Sequence, residues 1–358
     1  PVWLQAEYGD ACSIKQDKRI RTIIGIATRW CRDAGLHLAR EKTEVILLIR
    51  KRISTIFNID VGDGGEITTS RTVKYLGVML DNARGFSPHR EMACDKADRF
   101  LGAIRGLLPN VNGPGSTVRR LYYGVWESVV LYGTPIWAPS LRMEKNKKIL
   151  RRAQRAAMIR TSTAYRTVSH GALCVVTGNL PIHIKAWLRW KQYGEKRRII
   201  GNTEEDAHSW KEELEDLEIE AEDKWRMEWA FHNPRSWTKR LIEDPLVFYK
   251  TKRSIGYHAM QILTGHGIFN AYHQRIGKET HSSCWDCGVS MDDAEHVLFW
   301  CPRWARERVE MKVKMGIGFS LENRIVPTRS SVVGSYRVGT SSTTMEREYE
   351  EGFLVGMA

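Results

Sequence analysis

The sequence predicts an α+β chain, with strands gathered near its beginning and helices through most of the rest, and two patterns carry that reading. Up to Asp81 the apolar runs are short, β-branched or alternating, which suits strands. From Ser87 onward apolar residues recur at helical spacing over longer stretches, with proline and glycine between them.

Taken in order, residues 16–34 place Ile20, Ile23, Ile24, Ala27 and Trp30 on one helical stripe, and Asp33-Ala34-Gly35 is the expected stop. Glu44-Val45-Ile46-Leu47-Leu48-Ile49 is too short for most helices and is expected to form a strand. Residues 56–61 alternate, and Gly62-Asp63-Gly64-Gly65 supplies a turn into Ile67. Lys74 to Asp81 is expected to be one further apolar strand. Ser87 followed by Pro88 opens a helix whose buried stripe is Ala93, Ala97, Phe100, Leu101, Ile104 and Leu108, ended by Pro109. Helices are also expected over 117–132, 141–160 and 182–199, with Tyr122, Tyr123, Trp126, Tyr132 and Trp137 mostly in the core. The stretch from Arg329 to Thr344, rich in Ser, Thr, Gly and Val, is expected to be a loop or a disordered end.

At 358 residues and 42% hydrophobic, the chain is long enough for two or three domains with real cores. It has no run of eighteen apolar residues and no signal-peptide succession at its start, so no membrane partner and an intracellular setting are expected. The net charge is +13, yet residues 204–223 hold eleven acids against Lys211, a local −10 that leaves +23 elsewhere. Eight of those bases fall between Ser140 and Arg160: Arg142, Lys145, Lys147, Lys148, Arg151, Arg152, Arg155 and Arg160, with Glu144 the one acid. Like charges at helical-neighbour spacing repel unless neutralised, so the helix is either a solvated face or a phosphate contact.

The most specific chemical pattern is Cys284-Trp285-Asp286-Cys287, eight residues, His296, four residues, Cys301. Paired cysteines on a tight turn can bite one ion, and a returning His and Cys complete a tetrahedral set of soft donors that favours zinc. Four protein ligands leave no open position, so this zinc is expected to be structural. A redox Cys-x-x-Cys would require neither His296 nor Cys301.

Several short motifs carry a family resemblance. Gly35-Leu36-His37-Leu38, Lys42-Thr43-Glu44 and Lys74-Tyr75-Leu76-Gly77-Val78 resemble the late palm motifs of non-LTR retrotransposon reverse transcriptases. Ala164-Tyr165-Arg166-Thr167-Val168-Ser169, Ala172-Leu173-Cys174 and Leu180-Pro181-Ile182 are similar to the region after the polymerase in arthropod elements that insert into ribosomal RNA genes. Leu263-Thr264-Gly265-His266-Gly267, Arg275-Ile276-Gly277 and the Cys/His set are similar to the C-terminal end of those elements. The likeness runs in order over residues 15–310.

The resemblance implies an RNA-directed DNA polymerase, accompanied by an endonuclease, that copies element RNA onto a target DNA end in target-primed reverse transcription. Its partners would be template RNA and target DNA, reached at least transiently in the nucleus, together with the rest of a Pol polyprotein. Mg²⁺ held by paired carboxylates is expected in the complete polymerase only. Here the aromatic-x-Asp-Asp of the family is missing: Tyr8-Gly9-Asp10-Ala11 offers one carboxylate, too close to Gly35. The chain is therefore expected to start after that motif and to be inactive alone.

By the same likeness, 1–85 is the end of a palm with a primer-grip-like hairpin and 86–200 a basic thumb-like region. Residues 201–255 are an acidic helical connector, 256–310 the zinc module and 311–358 a tail. Lys42 corresponds to a cation near the departing pyrophosphate, although a surface lysine capping a helix would look the same. Tyr75, Leu76 and Gly77 correspond to the primer grip, where a buried strand glycine is the alternative. Lys147, Lys148, Arg151, Arg152, Arg155, Arg303 and Arg306, with Arg308 beside them, are the expected nucleic-acid contacts. Two other functions fit the residues: a stand-alone zinc-dependent nucleic-acid-binding module without catalysis, and a structural zinc protein with an acidic protein partner.

Overall fold

The computed structural model describes residues 18–36, 43–46, 48, 56, 58–62, 65–110, 113–198, 204–251 and 255–315. The fold is α+β and mostly helical, and it divides into two compact units, Pro1–Ala93 and Cys94–Ala358.

In the first unit a helix spans Lys18–Asp33 and stops as the sequence predicts. Gly35 takes φ +69°, Leu36 N–H donates to the Cys31 carbonyl (2.7 Å) and Gly35 N–H to that of Arg32 (3.0 Å), a glycine-terminated cap. Trp30, on the apolar stripe that periodicity marks, is 65% exposed. Strand Gly65–Ser70 lies between a parallel neighbour, Val45–Ile46, and an antiparallel one, Asn58–Gly62. Ile59 opposes Ile67, and the Asn58 amide bridges Glu66 (2.9 Å) and the Thr68 hydroxyl (2.8 Å) on the neighbouring strand. Ile67 and Thr69 mark the buried face.

The run from Lys74 to Asp81 is not one strand. It belongs to a hairpin of Thr72–Tyr75 and Val78–Asp81, paired antiparallel with Tyr75 opposite Val78. The two residues between them, Leu76 (φ +46°) and Gly77 (φ +82°), both sit at positive φ, the twist-matched two-residue turn. The missing signal was turn chemistry: a leucine occupies a position where Asn or Asp would have announced the reversal. Asp81 then closes the next loop, accepting from the N–H groups of Gly85 (2.9 Å) and Phe86 (2.5 Å). The helix Ser87–Ala103 follows.

The second unit is a helical body. Long helices run over Ser116–Val130, Glu144–Thr161, Ile182–Arg198 and Glu204–Ala230, with shorter ones at Thr134–Trp137, His170–Thr177, Trp237–Leu241, Val247–Thr251, Tyr257–Thr264, Asn270–Arg275 and Ala305–Met315. The acidic stretch forms the 27-residue helix, and it packs along Ile182–Arg198. Leu217, Ala221, Trp225 and Trp229, four residues apart, make its buried stripe. Several of its acids meet bases of the body: Glu222 with Lys250 (2.8 Å), Glu228 with Arg151 (3.3 Å) and Glu213 with Arg198 (3.7 Å).

Three buried tryptophans have their indole N–H groups satisfied: Trp126 by Asp98 (3.0 Å), Trp137 by the Tyr132 carbonyl (2.8 Å) and Trp229 by that of Ile242 (3.1 Å). Tyr123, Trp126 and Trp137 are core residues as expected, whereas Tyr132 is exposed. Gln154, fully buried, is the polar hub of this body. Its amide donates to Tyr123 Oη (2.8 Å) and the Leu180 carbonyl (2.9 Å), and its carbonyl accepts from Ile182 N–H (2.8 Å) and His170 Nε2 (2.7 Å).

Candidate metal centre

Residues 281–292 fold back on themselves before reaching the helical segment at His296. Gly288 takes φ +73°, its N–H donates to the Cys284 carbonyl (2.9 Å), and Cys284 N–H donates to the Val289 carbonyl (2.9 Å). This knuckle presents Cys284 and Cys287 side by side. The chain returns through a wide helical turn, His296–Trp300, held at its start by His296 N–H donating to Asp293 Oδ1 (2.8 Å). Cys301 follows at once.

The four ligand atoms lie within 4.8 Å of one another. Cys284 Sγ and Cys301 Sγ are 3.9 Å apart, and Cys287 Sγ is 3.4 Å from His296 Nε2. A tetrahedral zinc with Zn–S of about 2.3 Å has ligand edges of about 3.8 Å, so the spacing fits such an ion and is far too long for a disulfide. Cys284, His296 and Cys301 are buried and Cys287 reaches the surface. Burial raises the Cys284 thiol, and burial with the neighbouring thiols pushes Cys301 up to about 12. The cluster can hold a metal ion, with Cys284, Cys287, His296 and Cys301 as its four donors.

The module is anchored to the body behind it. Ala294 belongs to a buried cluster with Phe269 and Tyr272, against which Tyr165, Trp237 and Val297 pack. Asn270 N–H donates to Asp292 Oδ2 (3.0 Å), Asn270 Nδ2 to the Ser283 carbonyl (2.6 Å), and Arg240 pairs with Glu295 (2.8 Å). Thr167 Oγ1 lies 2.6 Å from His266 Nδ1 and 2.7 Å from Tyr272 Oη. The Thr167 loop thus meets, about a hundred residues on in the chain, the Gly265-His266 turn and the Tyr272 helix on which the Cys/His set is anchored. Gly265 shows why that turn takes glycine, since its φ is +67° and a Cβ there would sit 2.9 Å from Trp237 Cδ1. Burial, with Arg275 and Arg155 nearby, lowers His266 to about 4.

Lys42 lies outside the described residues. Tyr75, Leu76 and Gly77 form the hairpin turn and its approach, with Leu76 73% exposed. On the Glu144–Thr161 helix, Lys148 and Arg152 face solvent. Lys147 pairs with Glu144 (3.6 Å), and Arg151 bridges Glu144 (2.5 Å) and Glu228 (3.3 Å). Arg155 donates to the carbonyls of Val168 (2.8 Å) and Arg166, holding the loop that carries Thr167. Beside the tetrad, Arg303 lies over the Trp304 ring (5.4 Å) and near Asp286 (3.9 Å), and Arg306 is exposed beside Glu310 (3.3 Å). Arg308 donates to the carbonyls of Val297 and Cys301, closing the end of the ligand-bearing turn. Sequence reading missed this support: Arg155, Arg240, Asn270 and Asp292 act through partners remote in the chain, which periodicity does not reveal.

The chain is 26% identical over 312 residues to the putative 115 kDa protein in type-1 retrotransposable element R1DM of Drosophila melanogaster, covering 83% of this chain and 30% of that protein. It is 27% identical over 270 residues to the retrovirus-related Pol polyprotein from type-1 retrotransposable element R1 4 of Nasonia vitripennis, covering 73% of this chain and 68% of the relative. A second Nasonia vitripennis Pol polyprotein, from element R1 2, is 28% identical over 292 residues, with 77% and 70% covered. The chain thus spans under a third of the Drosophila relative and about two thirds of the first Nasonia one. No family model and no solved structure matches. Similarity to several such polyproteins over most of its length makes this a non-LTR retrotransposon Pol-related protein.

Proposed function

We propose that this chain is the part of an element-encoded RNA-directed DNA polymerase that holds template RNA and target DNA for target-primed reverse transcription, and that it works in the nucleus. One observation carries the reading: a Cys₃His tetrad at tetrahedral spacing, fixed to a helical body, in a strongly basic chain similar to Pol polyproteins. In this account Tyr75–Val78 forms the primer-grip hairpin at the end of a palm, and the helices after it form the thumb. Leu76 supports that role: a non-glycine residue at positive φ, mostly exposed, stores backbone strain of the kind found at functional turns. Lys42 supplies a cation toward the pyrophosphate.

Zn²⁺ would be held by Cys284, Cys287, His296 and Cys301, and its chemistry there is structural, because four protein donors close its coordination sphere. What the chain itself does is position. Arg308 and Asp293 hold the two ends of the ligand-bearing turn, Asn270 and Asp292 tie the knuckle to the body, and Arg303 and Arg306 stand beside it to meet phosphates.

Because Arg151 and Arg155 are engaged within the fold, Lys148 and Arg152 are the bases of the thumb-like helix best placed for a polyanion. Phosphate contacts carry no base information, so Lys148→Glu with Arg152→Glu should weaken RNA and DNA alike. Losing two such contacts should also flatten the slope of log affinity against log salt by about 2 on duplex DNA. Fluorescence anisotropy across a salt series reads both effects. An unchanged slope would assign these charges to a solvated face.

A further inference from the structure

A cavity of about 50 Å³ lies where the first turn of the Ser116–Val130 helix meets the turn after the Glu144–Thr161 helix and the end of the His170–Thr177 helix. Its wall includes Arg119, Arg120, Ser116, Ser162, Thr163 and Asn179, and among the described residues no aspartate or glutamate lines it. Arg119 is 5% exposed and Thr163 7%. Arg119 Nη1 and Thr163 Oγ1 are buried without a hydrogen-bond partner. The other guanidinium nitrogens of Arg119 do have partners: Nε donates to the Pro114 carbonyl (2.9 Å) and Nη2 to that of Pro109.

Those carbonyls fix the side chain without neutralising it. Among the described residues no carboxylate pairs with Arg119, and burial alone lowers its pKa. A guanidinium nevertheless stays charged, and a buried charge without a counter-charge is costly. The helix start adds to the imbalance. Gly115, at the N-cap, has no side chain to accept from the first-turn N–H groups, whose partial positive charge favours an anion. A water needs about 10–15 Å³ of such space, so the cavity admits a ligand several waters in size.

We propose that this cavity is a binding site for a phosphate group, held by Arg119 and Arg120, the Thr163 hydroxyl and the first turn of the Ser116–Val130 helix. The donors are the right kind: guanidinium forks match the oxygens of a tetrahedral anion, and a hydroxyl can complete the set. The site is separate from the Cys₃His tetrad and does not depend on what the tetrad holds. Its phosphate comes either from a nucleic-acid backbone or from a free anion.

The test uses the full chain and inorganic phosphate. Arg119 also holds the Pro109–Pro114 loop, so its loss can disturb folding; Thr163→Val and Arg120→Gln are the informative variants. By calorimetric titration the wild type should take up one phosphate per chain, and each variant should bind it about tenfold more weakly, one lost charge-assisted hydrogen bond. In chloride alone Thr163→Val should melt at or above the wild-type temperature, since it removes a buried hydroxyl that has no partner. Equal phosphate binding by all three proteins, or phosphate stabilisation no greater than that of chloride at matched ionic strength, would overturn the proposal. A short single-stranded oligonucleotide separates the two sources. Displacement of the oligonucleotide by phosphate in the wild type but not in Thr163→Val assigns a backbone phosphate. Oligonucleotide binding indifferent to both phosphate and substitution assigns a free anion.

Discussion

Replacing Gln154 with leucine removes the polar hub of the helical body while nearly conserving its volume. The side chain is fully buried and makes four hydrogen bonds of 2.7–2.9 Å, to Tyr123 Oη, the Leu180 carbonyl, Ile182 N–H and His170 Nε2. Leucine breaks all four bonds at once, although the Tyr123 hydroxyl also meets Glu127 and His170 Nε2 also lies 3.5 Å from Cys174 Sγ. Each stranded buried group costs about 1–3 kcal/mol, and because effects in one network do not add, the lower end is the safer basis, giving about 4 kcal/mol in all. For a unit of this size that corresponds to a melting temperature lower by roughly 10 °C. Tyr123→Phe removes one of the four bonds and should cost about 1 kcal/mol, which provides an internal scale. Urea denaturation of the three proteins, followed by tryptophan fluorescence, measures the differences. A loss below about 1.5 kcal/mol for Gln154→Leu would mean that water or rearrangement satisfies those partners, and the hub would not be organising this body.

Two further outcomes follow from the geometry. Burial lowers His170 to about 3, so the folded chain keeps it neutral while the unfolded chain takes up a proton there below about pH 6.5. Stability is therefore fully present above that pH and is lost as pH falls toward the folded value. His170→Gln should recover about 2 kcal/mol of the loss between pH 6.5 and 5 in urea midpoints, and pH profiles that coincide would refute the assignment. In the hairpin, Leu76→Asn should stabilise by about 1 kcal/mol, because asparagine tolerates positive φ and an exposed leucine gives up little packing. A destabilised variant would place Leu76 in contacts that exposure alone does not show.

The features legible in the sequence were those encoded locally. The stop at Gly35, the antiparallel pairing that brings Gly62 opposite Gly65, the helix opening at Ser87 and the Cys/His spacing each depend on residues near one another in the chain. At Leu76-Gly77 the residue pattern alone gave one strand, because apolar residues on both sides of the turn read as one continuous run, and only the family resemblance pointed to a hairpin there. Exposed and internally engaged charge was harder to sort. Arg151 and Arg155 look no different from Lys148 and Arg152 in the sequence, yet Glu228, 77 residues away, pairs with Arg151, and the carbonyls of Arg166 and Val168 take Arg155. The Cys/His segment draws on residues outside its own spacing pattern. Its Ala294 and Val297 pack on Phe269 and Tyr272, so the module shares a core with the body and does not rely on its own apolar residues alone.

The central claim is that Cys284, Cys287, His296 and Cys301 bind one structural zinc on which nucleic-acid binding depends. Structural zinc contributes roughly 10–16 kcal/mol of apparent binding free energy in small peptides near neutral pH, far more than the shared contacts of Ala294 and Val297 can replace. The decisive measurement is metal content per chain, with circular dichroism and RNA and DNA affinity followed before and after chelation, on the wild type and on Cys301→Ser. The account predicts one tightly held zinc in the wild type and little in Cys301→Ser, whose harder, protonated oxygen is a poor substitute for a thiolate. On chelation the knuckle and ligand-bearing turn should unfold with a loss of affinity, while the Glu144–Thr161 and Ile182–Arg198 helices persist. A chain that carries no metal as purified, with spectrum and affinity unchanged by chelator, would contradict it.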